Sequence, residues 1–474
     1  MIKIDYPNIL DEIFYKMQSL HAKPIIIGGY IRDNILQFYS KGQDYSQKSG
    51  SSKDIDIEVY GLSSFSELED ILKEFGKINT VGKSFGVCKL NIENMDLDFS
   101  LPRLDNHISA GHRGFEISLK PDLDFKSAIQ RRDFTINAIG FDVLEKKIID
   151  PYNGISDLKN KILKAVDKTT FVEDPLRILR AVQFCARFDL DMDEELKTLC
   201  REMIESDLLV TLSKERIFEE IKKLLLKSNT PSVGFEILRQ LGALKYFPEL
   251  EAIIGVQQNP VYHPEGDVWT HTMLTLDAMT RLKTDDDKTN LVLMLAALCH
   301  DFGKAVTTKE KMGVITSISH ETAGLIPAKN FIRRLSNQNE LIERVLPLIQ
   351  YHLMVTQLYE QKSKDSALLR LATKVNMQEL LLLSRADFLG RTTEESKSGV
   401  YKAGDAIQKR VKNLDILHKK VPPLLQGRDI MACGISPSKE FSKILDSAYE
   451  AQMDGIFNSY EEGMIWLKNF LFAE

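Results

Sequence analysis

The sequence predicts an α+β N-terminal head, a mixed sheet flanked by helices, followed by all-α neck, second-site and tail regions. Three observations carry that reading. PIII (Pro24 to Ile27) is a short apolar run bounded by turn residues, the mark of a buried strand. In KDIDIEVY (Lys53 to Tyr60), Ile55, Ile57 and Val59 alternate with Asp54, Asp56 and Glu58, the period of two of a half-buried strand. From Asp174 onward the apolar spacing becomes helical and stays so along the remainder of the 474 residues.

Length sets a prior of about three domains. Lys plus Arg is 62 and Asp plus Glu is 68, a formal charge of −6, so a globally basic nucleic-acid binder is excluded and any RNA contact must be local. Arg131-Arg132, Lys222, Lys223 and Lys227, Arg333-Arg334 and the run from Lys409 to Lys420 are the local candidates. Cys88, Cys185, Cys200, Cys299 and Cys433 are scattered without a Cys-X-X-Cys pair, which argues against a disulfide framework and fits a reducing, cytoplasmic setting. Asp11 and Glu12 interrupt the first apolar segment, and Leu291 to Cys299, the longest apolar run, is too short to span a bilayer. Neither a signal peptide nor a membrane partner is expected.

Ile9, Ile13, Phe14, Met17 and Leu20 stand at helical spacing, so residues 5–20 form an amphipathic helix that covers the sheet. Gly28 and Gly29 follow the PIII strand as a tight turn, and IRDNILQF opens a helix whose first backbone N–H groups, with Arg32 beside them, face an anion. Ser40 to Ser52, rich in Ser, Gly, Gln and Lys, reads as a mobile loop. Asp54 and Asp56 then share one strand face about 6.6 Å apart. That spacing suits carboxylates sharing hard divalent cations, with Mg²⁺ the usual occupant. SSFSELEDILKEFG is a helix opened by cap-type serines. Phe85 to Ile92 and Met95 to Leu101 are strands, and Asp98, in preference to Asp96, is the candidate third metal-binding carboxylate. Arg103 to Ser118, with glycines, histidines and little periodicity, reads as a loop able to move over a nucleotide.

KSAIQRRDFTINAIGFDV (126–143) reads as one helix with Arg131, Arg132, Asp133 and Asn137 on its polar side and Phe134, Ile136 and Ile139 buried. Adjacent guanidinium forks match the oxygens of a triphosphate. Asp174 before Pro175 is an N-cap with proline at the first helical position, and Arg177 stands one turn on. Residues 190–255 hold further amphipathic helices with no identifiable chemistry, a neck that supports the preceding pocket and touches RNA.

GGYIRD, DIDIEVY, RRDFTINAI, DPYNGISDLKNKIL and EDPLRILRAVQFCARF occur in the order and wording of the class II tRNA nucleotidyltransferases, the CCA-adding enzymes, and the first two resemble a polymerase-β-like nucleotidyltransferase head. The resemblance implies that Asp54 and Asp56 hold catalytic Mg²⁺. It further implies that Gly28, Gly29, Arg32, Arg131, Arg132, Asp133 and Asn137 bind nucleotide, that Asp174 and Arg177 read the incoming base, and that Arg180 lines the same pocket. Gln183 departs from the arginine of many relatives, which puts its nucleotide contact in question.

Residues 263–352 gather His263, His271, His300, His320 and His352, and His300-Asp301 ends the helix LVLMLAALCHDFGK, where Gly303 is expected to stop it. The order His271, His300-Asp301, His320, His352 and Asp387 resembles the HD phosphohydrolase superfamily, with His263 outside the pattern. Imidazole and carboxylate ligands suit Ni²⁺, Mn²⁺ or Zn²⁺, or Mg²⁺, and such a site activates bound water. His320 and His352 would complete a second metal position. VPPLLQGRDIMACGISPSKEFSKIL, a Pro- and Gly-rich connector leading into helices, resembles the tRNA-gripping tail of bacterial family members.

The expected layout is a head at 1–150, a base-selecting neck at 151–255, an HD domain at 256–392 and an RNA-binding tail at 393–474. The expected reaction is template-independent addition of C, C and A to the tRNA 3′ end from CTP and ATP, at the acceptor region, with no protein partner required. The alternative is a poly(A) polymerase of the same family adding AMP to RNA 3′ ends. A protein-modifying uridylyltransferase should be longer and lacks RRDFTINAI and EDPLR, whereas a catalytically inactive RNA-binding relative should have lost carboxylates that are present at Asp54, Asp56 and Asp301.

Overall fold

The computed structural model describes residues 2–39, 54–79, 86–92, 95–107, 115–119, 123–418 and 421–472. The stretch expected to be a mobile loop, 40–52, lies outside them, as does Phe85. The chain forms two compact units, Met1–Phe247 and Pro248–Glu474, each described by itself below. Among the described residues no helix is long and apolar enough to cross a membrane.

The first unit is built on a mixed sheet with the order β3-β4-β5-β2-β1-β8-β9. Its strands are β1 (Lys23–Ile27), β2 (Asp54–Tyr60), β3 (Ile78–Asn79), β4 (Val87–Ile92), β5 (Met95–Ser100), β8 (Gly140–Asp142) and β9 (Lys147–Ile149). Central β1 reads as unbroken apolar residues because both its faces are covered. β2 alternates, with Ile55, Ile57 and Val59 fully buried. It runs antiparallel to β1 and parallel to β5, in a register that sets Asp54 beside Asp96 and Asp56 beside Asp98. Helix α1 (Ile9–Ser19) packs Leu10, Ile13, Phe14 and Met17 inward. Helix α2 (Gly29–Tyr39) leaves β1 through Gly28, whose φ of 76° is the left-handed conformation that glycine adopts without cost.

Two expectations in this unit are corrected. The segment 103–118 is no plain loop: β6 (Arg103–His107) and β7 (Phe115–Leu119) pair as an antiparallel hairpin, with 108–114 outside the described residues. Phe115, Ile117 and Leu119 do alternate with Glu116 and Ser118, but the flanking glycines and histidines mask that period. Residues 126–143 form no continuous helix. A short helix (Phe125–Ile129) gives way to a turn, a 3₁₀ turn at Thr135–Asn137, and β8. The backbone around Asp133 finds partners across the chain instead of four residues back: Thr135 N–H donates to Lys164 O (3.0 Å) and Val166 N–H to Asp133 O (3.2 Å).

Beyond the sheet, α3 (Leu176–Phe188) is buried along most of its length and packs against α4 (Lys214–Lys227) and α5 (Pro231–Gln240).

The second unit is helical. Its centre is α6 (Val268–Thr280) against α7 (Asp287–Cys299) and α9 (Met377–Gly390), with α8 (Asn339–Tyr351) behind α7. After its polar, exposed first turn, helix α7 is apolar all round from Leu291 to Cys299 because that part is enclosed on every side. It ends at Cys299, but not by a left-handed glycine: Gly303 has φ −66° and opens the short helix Lys304–Thr307. Glycine is needed there for close approach, since a Cβ would collide with the carbonyl of His320 and the N–H of Gly324. Gly303→Ala should therefore destabilise the second unit by about 1–3 kcal/mol, read as a lower denaturant midpoint; an unchanged midpoint would show that the packed turn yields without cost.

Candidate functional site

The first unit opens a cleft of about 450 Å³ where the sheet meets α3 and α4. Gly29, Arg32, Asp56, Arg131, Arg132, Asp133, Asn137, Asp174, Arg177 and Arg180 line it, so residues far apart in sequence meet on one surface. Asp54, at the exposed start of β2, and Gly28 do not line it. Gly28 backs it: a Cβ would collide with the Arg132 guanidinium and stand 3.3 Å from Asp56 Oδ2.

A chain of hydrogen bonds orders the cleft floor. Buried Arg32 donates from Nη1 to Asn137 Oδ1 (2.7 Å), and Asn137 Nδ2 donates to Asp133 Oδ1 (2.9 Å). Arg180 of α3 donates from Nε (2.7 Å) and Nη2 (2.5 Å) to Asp133 Oδ2. Burial alone would raise the Asp133 carboxyl, but Arg180, Asn137 and Arg177 outweigh it and hold it at about 2. Arg131 is anchored by Glu58, the third acid of the β2 face, through Nη2 to Oε2 (2.8 Å). Arg132 reaches Asp56 Oδ2 at 3.5 Å. At the cleft's helical end Arg177 donates to two backbone carbonyls, Thr170 O (2.5 Å) and Arg131 O (2.6 Å). Asp174 Oδ1 accepts the N–H of Leu176 (3.1 Å), capping α3. Gln183 is buried, accepts from Arg187 Nη1 (3.1 Å) and does not line the cleft.

Of the β2 and β5 carboxylates only Asp56 lines the cleft, and among the described residues they form no group of three converged ligand atoms. Burial, then Asp96, Asp98 and Asp56, push the Asp54 carboxyl upward. Asp98 shares a smaller cavity with Asp56 and has one buried oxygen without a hydrogen-bond partner, while Lys89 holds the other at 2.8 Å. Asp96 lines neither space and accepts from Asn91 (2.7 Å).

In the second unit His271 from α6, His300 and Asp301 after α7, His320, His352 after α8 and Asp387 from α9 converge, all buried. Backbone carbonyls, which only accept, take the Nδ1–H of His300 (Ala297 O, 2.9 Å), His320 (Ser317 O, 2.8 Å) and His352 (Ile349 O, 2.7 Å). Each Nε2 is thereby turned inward. His271 Nε2 lies 3.0 Å from Asp387 Oδ1, and His320 Nε2 lies 3.3 Å from His352 Nε2. Asp301 divides its oxygens: Oδ2 is 3.3 Å from His300 Nε2, and Oδ1 is 3.3 Å from His320 Nε2. Two ligand groups result, His271, His300 and Asp387 on one side and Asp301, His320 and His352 on the other. Lys304 Nζ stands 2.7 Å from Asp301 Oδ2, yet neither Asp301 oxygen nor His300 Nε2 has a partner in hydrogen-bond geometry. Close imine nitrogens and carboxylates repel unless a proton or cation lies between them, so the donor set fits a metal. His300 and Lys304 overcome burial to keep Asp301 far below the ordinary carboxylate range; burial, with His300 and His320, pushes His352 down to about 3.

Sequence reasoning missed Arg216, Glu58 and Glu265. Arg216 lines the cleft from α4, a helix read as part of an RNA-touching neck with no identifiable chemistry. The buried side chain of Glu265 lies 2.8 Å from His271 Nδ1 and 2.9 Å from His263 Nδ1, and accepts from Thr392 N–H (3.1 Å). His263-Pro-Glu265 did carry a signal, an acid beside a histidine in a loop treated only as a boundary.

The chain matches three family models: "Poly A polymerase head domain" over residues 25–164, "Probable RNA and SrmB- binding site of polymerase A" over 189–254, and "HD domain" over 268–390. A multifunctional CCA protein of Mannheimia succiniciproducens is 33% identical over 378 residues, 77% of this chain and 84% of the relative; one of Pasteurella multocida is 31% identical over 381 residues, 78% and 84%. The chain belongs to the multifunctional CCA protein family. Solved structures share the fold: a CCA-adding enzyme complexed with CTP superposes with a TM-score of 0.63 at 19% identity, covering 99% of this chain and 96% of that one. The Thermotoga maritima CCA-adding enzyme complexed with tRNA gives 0.60 at 19% identity, with 99% and 97% covered. The family's head thus corresponds to the cleft-bearing sheet, and its HD domain to the convergent histidines.

Because its folded-state pKa is depressed, Asp133 contributes stability that is full above the unfolded value near pH 4 and is lost as pH falls to about 2. Asp133→Asn should lower stability at neutral pH and flatten the fall in that acid window; equal acid slopes for both proteins, measured by denaturant unfolding, would refute the assignment.

Proposed function

We propose that the chain adds C, C and A to the 3′ end of tRNA from CTP and ATP, and that its HD site is a separate metal-dependent phosphohydrolase acting on phosphomonoesters or 2′,3′-cyclic phosphates. The observation that carries the first reading is the single cleft joining Asp56, the Arg131-Arg132 pair and the Asp174/Arg177 pair. An acid, a triphosphate clamp and a base-edge reader in one space are what template-independent nucleotidyl transfer requires.

In this reading the RNA 3′-hydroxyl attacks the α-phosphorus, its proton leaves, and the bond to pyrophosphate breaks. Asp54 and Asp56, with Asp98 as third carboxylate, would hold Mg²⁺, which when bound activates the hydroxyl and neutralises charge on the leaving oxygens. Arg131 and Arg132 grip the triphosphate, with Arg131 presented by Glu58. Arg32, Asp133, Asn137 and Arg180 keep the cleft in shape. Cytosine and adenine both present an amino donor beside a ring-nitrogen acceptor, whereas uracil and guanine present a carbonyl beside an N–H. Asp174, which only accepts, and Arg177, which only donates, match the first pair and oppose the second. The head (1–150) performs the chemistry, the neck (151–255) selects the base, the HD domain (256–392) hydrolyses, and the tail (393–474) holds tRNA in the cytoplasm, with no protein partner. The rival poly(A) polymerase reading shares the head-domain model but gives no use for the HD ligands or for reading cytosine.

At the second site His271, His300, Asp301 and Asp387, with His320 and His352, would hold a divalent transition metal such as Ni²⁺ or Mn²⁺, or Mg²⁺, which supplies an activated water for attack on phosphorus. Lys304 and Arg391 bring positive charge for the phosphate: Arg391 Nη2 lies 3.0 Å from Asp387 Oδ2.

The two sites share no residue, so their activities should separate. With tRNA lacking CCA and each labelled triphosphate, Asp54→Ala should abolish addition and spare hydrolysis of small nucleotides, and Asp301→Ala should do the reverse. Loss of both activities in either folded variant would sink the two-site reading. After chelation, Ni²⁺ or Mn²⁺ should restore hydrolysis better than Mg²⁺. Calorimetric titration should show metal affinity falling roughly 10-fold or more in Glu265→Gln, which loses the charge behind His271; unchanged affinity would leave Glu265 without that role.

A further inference from the structure

Asp174 can choose between an amino group and a carbonyl only if its carboxylate is held still. The torsion that turns a carboxylate plane is intrinsically soft. The capping bond from Leu176 N–H restrains Oδ1 alone. Arg216 supplies the other restraint: from the first turn of α4 its Nη2 reaches Asp174 Oδ1 at 3.1 Å and Oδ2 at 2.8 Å, spanning both oxygens and hence the plane. The arginine is itself placed, because its backbone N–H points to Ser213 Oγ, the cap of α4, at 3.5 Å. Asp174 and Arg216 are about three-quarters buried, and both face the cleft that holds Arg177.

A carboxylate offers about four lone-pair positions. Leu176 and Arg216 use both positions on Oδ1 and one on Oδ2, which leaves a single acceptor position on Oδ2. We propose that Arg216 is a specificity-determining positioning residue, which fixes the Asp174 carboxylate so that one acceptor in one direction remains for the amino group of the incoming base. This rests on reading Asp174 as the base contact. Without Arg216 the carboxylate still accepts, so cytosine and adenine still bind, but it can swing away from the carbonyl of uracil or guanine. Discrimination then falls further than insertion of the correct nucleotide.

The test is steady-state insertion by the full chain on tRNA lacking CCA, with CTP, UTP, ATP and GTP taken separately. Arg216→Met should lower the ratio of kcat/KM for CTP over UTP, and for ATP over GTP, by about tenfold or more. Arg216→Lys, a point charge able to serve one oxygen, should recover part of the ratio. In the double variant with Asp174→Ala, Arg216→Met should add nothing to the loss caused by Asp174→Ala, because Arg216 acts through that carboxylate. An Arg216→Met enzyme with all four nucleotides slowed equally, or additive losses in the double variant, overturns the proposal. If Arg216→Met does not fold, the ratio in Arg216→Lys decides: an unchanged ratio refutes it. Should Asp174→Ala itself keep the wild-type ratios, the base-contact reading falls with it; should Asp174→Ala lose them while Arg216→Met keeps them, this inference alone fails.

Discussion

A carboxylate taken out of water must be matched by donors, and the first unit is arranged around how Asp133 is matched. Its oxygens receive Phe134 N–H, Asn137 Nδ2 and the Arg180 guanidinium, and Asn137 passes the connection to Arg32. A single carboxylate therefore ties helix α2, the 3₁₀ turn and helix α3 into one network. Removing Arg180 would leave buried charge uncompensated, which costs more than the pair contributes. The same network sets the faces of Arg32 and Arg180 against the Phe184 ring, 5.1 and 5.5 Å from its centroid, and so builds a cationic wall from residues that would otherwise repel.

The second unit solves the opposite problem. Its histidines are matched on their outer side, while inward His271 Nε2 with Asp387 Oδ1 and His320 Nε2 with His352 Nε2 come into hydrogen-bond geometry. The Nδ1 atoms are satisfied by backbone carbonyls or Glu265, while Asp301 and His300 face one another with unsatisfied atoms in a fully buried centre. Folding around such a cluster costs stability, and the apolar run Leu291–Cys299 of helix α7, buried throughout, is the element able to offset it. Gly303 belongs to this arrangement: it allows the turn after Asp301 to touch the backbone at His320, where His320 Nε2 stands 3.3 Å from Asp301 Oδ1.

What was legible in the sequence follows from locality. The β2 alternation, the Gly28 turn and the cap at Asp174 are set by neighbouring residues, and each lies where spacing places it. Residues 126–143 were misread as a helix because Phe134, Ile136 and Ile139 are buried for a tertiary reason: the backbone there pairs with Lys164 to Val166, partners that helical periodicity does not reveal. Arg216 was invisible for a related cause. Its partner Asp174 lies 42 residues away, and a lone arginine on an amphipathic helix looks like any solvated face. Glu265 differs, since the acid stood beside His263 in a loop, but only the folded chain shows that it sits behind His271.

The two sites share a design that composition conceals. In each, a functional group is fixed at one end by the backbone so that its other end is free and aimed. Arg177 is pinned by the carbonyls of Thr170 and Arg131, Asp174 by the N–H of Leu176, the imidazoles of His300 and His352 by carbonyls of the helices they end, and His320 by the carbonyl of Ser317 in the turn before its helix. A group held this way gives up its orientational freedom on folding and not on binding, so less reorganisation remains when substrate or metal arrives. The constraint also explains why the motifs are compact: a histidine at the C-terminal end of a helix finds the carbonyl three residues back, and an acid before a helix finds the N–H two residues on. Local sequence thus prepares each ligand, and tertiary packing has only to bring prepared ligands together.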